Sequence, residues 1–393
     1  MKRTILAFFL ALLHISLCAQ QWEFDYSNGE SYIVYENGIL DTEGNGILVG
    51  GCGPTYSDCH PVVMRVESDG THFKREYDSL GGLMLTDVVQ LCNGNYLAAG
   101  EISGEAIGVM VLDQELEVVK TRRYEKIETA FAVLGGRLLL DRDGTVVMSG
   151  KARYPLQNGV SPSYPYLYRF DENGDTLRCH FVMPEYPDPE YFMEQYDCHQ
   201  ILMNPSDDGL IIVGTGWNGL PSLITYDRDF NFVSNVWMEN DSVLLFSSYS
   251  SSCWLSNEDL LVFGTLTPTV HSRRSIGLLD VKLSGGVRRI DRICEDAVLS
   301  QIASGACYCT AFVNDTTIYG SYYSTEDVYV GPYFPSACLF DKDMEVLGSR
   351  VFLDEKYTNQ KPFFILPQDD GGCIMVTLFN FRKLFLSSRH KGF

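Results

Sequence analysis

Apolar runs of three or four residues recur along the chain, each opened by a turn dipeptide and all but the last closed by a glycine. The clearest copy is Asp208-Gly209-Leu210-Ile211-Ile212-Val213-Gly214. The others run from Asn45-Gly46 to Gly50, Asn93-Gly94 to Gly100, Asp143-Gly144 to Gly150, Glu258-Asp259 to Gly264, Asp315-Thr316 to Gly320 and Asp370-Gly371 to Thr377. Such runs are apolar on successive residues, so each predicts a strand covered on both faces. No amphipathic helix lies between copies to cover a parallel sheet, which leaves stacked antiparallel sheets.

Each copy is followed by a variable loop, a second apolar strand, a tight turn and a further strand. The second strands are Val62 to Val66, Gly108 to Leu112, Tyr166 to Phe170, Leu223 to Tyr226, Ile276 to Leu279 and Ala337 to Phe340. The residues after them are Glu67, Asp113, Asp171, Asp227, Asp280 and Asp341. An inner strand precedes each copy, for instance Met84 to Leu91. Four strands per repeat make one blade of a β-propeller. The marker glycines lie 50, 50, 64, 50 and 56 residues apart, a blade-length period. The seventh copy offers only three strands, near Phe363 to Leu366, Cys373 to Leu378 and Lys383 to Ser387. Trp22 to Tyr26 alternates aromatic and polar residues, and it can supply the missing outer strand and remove two open sheet edges. The expected fold is all-β: a seven-bladed β-propeller of four-stranded antiparallel blades, closed by the N-terminal strand, with residues 20–393 as one domain.

The pattern resembles secreted bacterial β-propeller repeat proteins, broadly the Kelch-like and quinoprotein-like group, and the signal ending Leu17-Cys18-Ala19-Gln20 resembles those of Bacteroidetes. The Gly-Gly that closes Kelch core strands occurs only at Gly50-Gly51, and there is no Trp-Asp series, so the resemblance implies an architecture and no site residue.

Lys2 and Arg3, the apolar run Ile5 to Leu17 and Ala19 form a charged region, a hydrophobic region and a cleavage site, so residues 1–19 read as a signal peptide and the protein as exported: periplasmic, secreted or at the cell surface. Cys18 leaves a lipoprotein open, although bulky Leu17 precedes it. Losing Lys2 and Arg3 takes the formal charge from -21 to -23, which makes nucleic acid and anionic membranes poor partners. No later run is long enough to span a membrane. Of 12 cysteines, Cys52 and Cys59 bracket a Gly-Pro loop and are the expected disulfide; Cys179 with Cys198, and Cys294 with Cys307, are longer-range alternatives.

Candidate chemistry is sparse. Asp171, Asn173 and Asp175 begin like a calcium loop, but Thr176 and Val182 stand where glycine and glutamate belong, so a hairpin turn is expected. The doublets Cys179-His180 and Cys198-His199 hold zinc-type donors at no known spacing. The recurring acidic residues after the second strands read as turn chemistry rather than a catalytic ring. No Ser-His-Asp set assembles, and neither a metal nor a cofactor is expected.

The connections on one side of the blades are long and aromatic. They carry Tyr154, Tyr164, Tyr191, Trp217, Tyr322, Tyr323, Tyr329 and Tyr333, with Arg273 and Arg274 able to clamp an acidic group or merely face solvent. Rings on such loops either bind a ligand or pack their own loops. The expected function is non-catalytic binding of a glycan or an envelope protein at that face. The alternative is a carbohydrate-active hydrolase or lyase, which a pair of inward carboxylates would favour.

Overall fold

A computed structural model describes residues 23–25, 32–54, 58–155, 162–182, 197–215, 221–237, 245–246, 251–267, 275–283, 287–293, 303–314, 317–325, 333–343, 345–351, 360–368, 373–379 and 383–387. The signal segment lies outside them. Among these residues the one helical element is a 3-10 turn at Asp78–Leu80, and the strands form seven antiparallel sheets in a propeller-like arrangement. In chain order the strands are β1 (Glu23–Asp25), then β2 (Tyr32–Leu40), β3 (Gly46–Gly53), β4 (His60–Val66) and β5 (His72–Glu76) of the first sheet. The second sheet holds β6 (Leu83–Gln90), β7 (Tyr96–Ile102), β8 (Ala106–Leu112) and β9 (Val118–Glu125). The third holds β10 (Ala132–Leu140), β11 (Val146–Arg153), β12 (Ser163–Phe170) and β13 (Thr176–Phe181). The fourth holds β14 (Asp197–Met203), β15 (Leu210–Thr215), β16 (Pro221–Tyr226) and β17 (Phe232–Trp237).

In the fifth sheet the first strand is split into β18 (Leu245–Phe246) and β19 (Ser251–Trp254), both paired with β20 (Asp259–Thr267), ahead of β21 (Ser275–Lys282) and β22 (Val287–Ile293). The sixth comprises β23 (Ala303–Asn314), β24 (Thr317–Thr325), β25 (Tyr333–Asp341) and β26 (Val346–Val351). The last is composite: β27 (Gln360–Pro367), β28 (Cys373–Phe379) and β29 (Lys383–Ser387) take β1 as their outer strand, with Phe24 opposite Leu386. First strands of successive sheets are neighbours throughout, and β27 lies beside β2.

The strand that carries the repeated run, second in each sheet, is apolar on successive residues because alternate side chains serve two different cores. On β3, Ile47 and Val49 pack with the second sheet, around Leu85 and Ala98, whereas Leu48 packs with Phe364, Ile374 and Val376 of the seventh. Leu210 and Ile212 of β15 face the third sheet, and Ile211 and Val213 face the fifth. Burial of either face alone would leave half of these side chains in water, at roughly 25 cal/mol per Å² of apolar surface. The outer strands hold only partly exposed and exposed positions, as in β5 and β9.

At Gly50 and Gly100 the closing glycine has a steric cause. The first strand skips a residue opposite it: Tyr35 pairs with Gly50 and Asn37 with Val49, and likewise Leu85 with Gly100 and Asp87 with Ala99. The bulge pushes the first strand onto the second. A Cβ on Gly50 would lie 1.8 Å from the Val34 carbonyl oxygen, and one on Gly100 would lie 1.8 Å from that of Met84. Comparable register shifts occur at Leu134/Arg137, Cys198/Gln200, Gly305/Cys309 and Pro362/Phe364.

The tight turns follow one design. Asp113 Oδ1 accepts from the amides of Glu115 and Glu117 (2.9 and 2.8 Å), and Asp227 Oδ1 does so from those of Asp229 and Asn231 (both 2.8 Å). Asp171 caps its own hairpin in the same manner, and the Asp175 carboxylate is held by Lys120 and Arg122 of the second sheet. The recurring acids are thus turn formers. Asp280 departs from the expectation, since it lies within β21, opposite Leu261.

The expected Cys52–Cys59 disulfide is absent: both are free, buried thiols. Cys52 pairs with His60 across β3 and β4, so Cys59 falls one register step further and on the opposite face of the sheet. Cys179 is also a free thiol. Cys294 lies outside the described residues.

Two outcomes are expected. Gly100→Ala drives a methyl into backbone atoms that cannot rotate away and costs more than about 3 kcal/mol by denaturant titration, whereas Gly81→Ala, with open space around its Cβ, stays within about 0.5 kcal/mol. Equal losses would remove the bulge explanation. Mass spectrometry of protein unfolded without reductant should recover Cys52 and Cys59 as unlinked thiols; a linked peptide would refute the face assignment.

Candidate functional site

The bulged residues and their neighbours gather where the first strands meet. In β2 the skipped residue is Glu36, in β6 Thr86, in β10 Gly135 and Gly136, and in β14 His199. The residue after each bulge links neighbouring sheets. Asn37 Nδ2 donates to Asp87 Oδ1 (2.7 Å), and Asp87 Oδ2 accepts from the Leu138 amide of the third sheet (2.7 Å). Arg137 donates to the backbone oxygens of Thr86 (3.0 Å) and His199 (3.1 Å), spanning the second to the fourth sheet. Gln200 Oε1 accepts from the amide and hydroxyl of Ser252 in the fifth (2.7 and 2.8 Å).

Two acidic side chains here are committed to structure. Asp87 is 5% exposed and also accepts from the Val88 amide. Glu101, next after the marker glycine of β7, is 6% exposed and accepts from the bulged Gly135 amide (2.9 Å). Glu36 differs: it keeps part of its surface accessible and makes no hydrogen bond to any described residue. Lys151, the equivalent of Glu101 on β11, is likewise partly exposed, as are Arg137 and His199.

Desolvation dominates the electrostatics. It raises the Glu36 carboxyl above its ordinary value, opposed by the Arg137 guanidinium and reinforced by Glu101. Burial pushes Lys151 down to about 8, with Arg153 adding to the effect and Glu101 opposing it. His199 falls to about 3 through burial and the nearby Arg137 and Lys151 charges, so it is neutral at physiological pH. The arrangement offers one protonatable carboxyl, a guanidinium pinned by two backbone oxygens, a titratable amine and a neutral imidazole.

Of the binding residues singled out from sequence, those that are described lie outside this cluster. Tyr154 is 1% exposed, donates to the Val182 oxygen (2.9 Å) and meets Tyr164 edge-on at 5.6 Å. This pair therefore packs its own sheet, the second of the two roles open to such rings. Tyr322 and Tyr323 lie within β24 and Tyr333 begins β25, so these three are strand residues where a loop over 321–336 was expected. Tyr191, Trp217, Arg273, Arg274 and Tyr329 lie outside the described residues. In antiparallel meanders the connections from second to third strands and those between successive sheets leave by the same end. At that end backbone bonds stitch adjacent sheets, from Gly82 N to Cys59 O (2.7 Å), Ser103 N to Gly82 O (3.1 Å) and Val133 N to Gly104 O (2.8 Å).

Sequence reasoning missed Glu36, Arg137 and Lys151, and it weighed His199 only as a zinc-type donor beside Cys198. A signal was present: consecutive polar residues interrupt apolar first strands at Glu36-Asn37, Thr86-Asp87 and His199-Gln200, each just upstream of a turn and marker glycine.

NMR titration of the Lys151 amine should give a midpoint near 8. Glu101→Gln, which keeps an acceptor for the Gly135 amide but removes a negative charge, should lower that midpoint further. An ordinary lysine midpoint, or no response to the substitution, would contradict the described electrostatics.

No family model matches the chain, and no curated protein matches it. Among solved structures, a protein of unknown function from Dyadobacter fermentans aligns over 80% of this chain and 98% of its own at 11% identity, with a TM-score of 0.49. One of unknown function from Bacteroides caccae covers 82% and 98% at 12% identity, with a TM-score of 0.46. An α-L-arabinanase from Penicillium chrysogenum, complexed with arabinobiose, covers 63% and 78% at 10% identity, with a TM-score of 0.42. At these identities the likeness concerns the fold alone.

Proposed function

We propose that the seven sheets are the blades of one closed, seven-bladed β-propeller formed by residues 20–393, and that the protein is exported and binds a glycan or an envelope protein without catalysis. The cycle of neighbouring first strands and the composite seventh sheet support the ring. No helix among the described residues is long and apolar enough to cross a membrane.

The observation that carries the binding reading is the fate of the axial carboxyls. Hydrolysis by the usual two-carboxyl route needs two groups free to reach the scissile bond. Among the described residues Asp87 and Glu101 are buried and spent on backbone amides, which leaves Glu36 alone with an open carboxyl. A single carboxyl near Arg137 suits hydrogen bonding to hydroxyl or acidic groups of a ligand. The long connections carrying Tyr191, Trp217, Arg273, Arg274 and Tyr329 then supply contacts around the same end, and ring stacking adds area at low entropic cost.

The mature protein on a glycan array, with a parallel assay for released reducing ends, tests this. The expected result is saturable binding without cleavage. Glu36→Gln should weaken binding at least tenfold, and Lys151→Met should remove any weakening seen as pH rises through about 8, where the amine loses its charge. Turnover of any bound glycan, or affinity unchanged in Glu36→Gln, would overturn the reading.

A further inference from the structure

A second cluster lies away from the axis, at the loop end of the first sheet. Strand register brings it together. Cys52 on β3 pairs with His60 on β4, and the pairing of Val62 with Glu76 puts Glu76 and Asp78 on the same face of the sheet. The donor atoms of Cys52, His60 and Glu76 all lie within 4.8 Å of one another. His60 Nε2 is 3.3 Å from Glu76 Oε2 and 3.1 Å from Asp78 Oδ1. The other oxygen of Glu76, Oε1, is taken by Lys74 Nζ at 2.6 Å.

We propose that Cys52, His60 and Glu76 bind a divalent metal ion of the zinc class, with the exposed Asp78 carboxylate, 3.1 Å from His60 but outside that close group, turning in as the fourth donor. One thiolate, one imidazole and two carboxylates are the mixed soft and hard donors that such an ion accepts in tetrahedral array. With metal bonds of about 2.0–2.2 Å to nitrogen and oxygen, neighbouring donors of a tetrahedron stand about 3.3–3.6 Å apart. The two His60 distances are within a few tenths of an ångström of that spacing. Charge also balances: a thiolate and two carboxylates are offset by a divalent cation and the Lys74 ammonium. Lys74 holds Glu76 ionised and fixes which oxygen faces the imidazole, the part played by outer partners in metal sites.

Cys52 is 2% exposed, and burial followed by repulsion from Glu76 pushes its thiol up to about 11. Binding therefore releases the thiol proton, and the ion supplies the compensating charge. The site would clasp β3, β4 and the start of the connection to the second sheet, at the end where the Cys59 carbonyl oxygen accepts from the Gly82 amide.

Cobalt(II) titration of the chelator-treated full chain tests the proposal, because cobalt reports tetrahedral thiolate coordination optically and zinc displaces it. Saturation is expected at one equivalent, with a thiolate charge-transfer band that zinc abolishes. Cys52→Ser should lose that band, and His60→Gln should bind at least tenfold more weakly. Cys59→Ser, altered on the opposite face, should match the parent. Asp78→Asn changes an 84% exposed side chain, so it leaves folding intact and should still weaken binding severalfold. Absence of saturable absorption in the parent chain, a band that survives Cys52→Ser, or full affinity in Asp78→Asn would overturn it.

Discussion

The contact on which the rest of this structure depends is the one between the bulged first strand of each sheet and the second strand beside it. At Gly50 and Gly100 the neighbouring backbone occupies the place where a Cβ would be, so the second strand has to close on glycine. The same bulge displaces one residue from the ladder, and a displaced residue no longer has a cross-strand partner on either face. Glu36, Thr86 and His199 occupy such positions, and the polar residues that follow them tie each sheet to the next. Close packing, inter-sheet bonding and the accessible axial groups thus share one cause.

That cause also limits what the axis can do. Every bulge frees backbone amides and carbonyls that need partners, and buried groups left unpaired cost about 1–3 kcal/mol each. Glu101 serves the Gly135 amide, Asp87 serves Leu138, and Arg137 serves the oxygens of Thr86 and His199. Side chains that look chemically potent in isolation are largely consumed in holding the strands together. Among the described carboxyls around the bulges, Glu36 is the exception.

Much of the architecture was legible because it repeats. Doubly apolar second strands, tight turns near 50-residue intervals and the alternating segment at the N-terminus each have a direct physical reading, and β1 pairs with β29 as the alternation required. The site was less legible for identifiable reasons. A bulge leaves no periodicity of its own, so nothing in the pattern singled out Glu36, and His199 drew notice only through its neighbour Cys198. Aromatic density in the connections drew attention to Tyr154, whose ring and hydroxyl are both satisfied inside the third sheet. The Cys52 and Cys59 pairing failed on register, because proximity along the chain says nothing about which face each thiol takes. The same register joined Cys52 to His60, Glu76 and Asp78 across spacings that match no short motif.

The central claim is that the bulge of β2 holds the Glu36 carboxyl in desolvated surroundings where the first strands meet, near Arg137 yet bonded to no described residue. Site-resolved NMR titration of that carboxyl in the free protein addresses it most directly. The account predicts a midpoint above the ordinary glutamate value of 4.5, because loss of hydration outweighs the attraction of Arg137. A midpoint at or below 4.5 would place the group in open water or in a tight ion pair, and either would contradict the account.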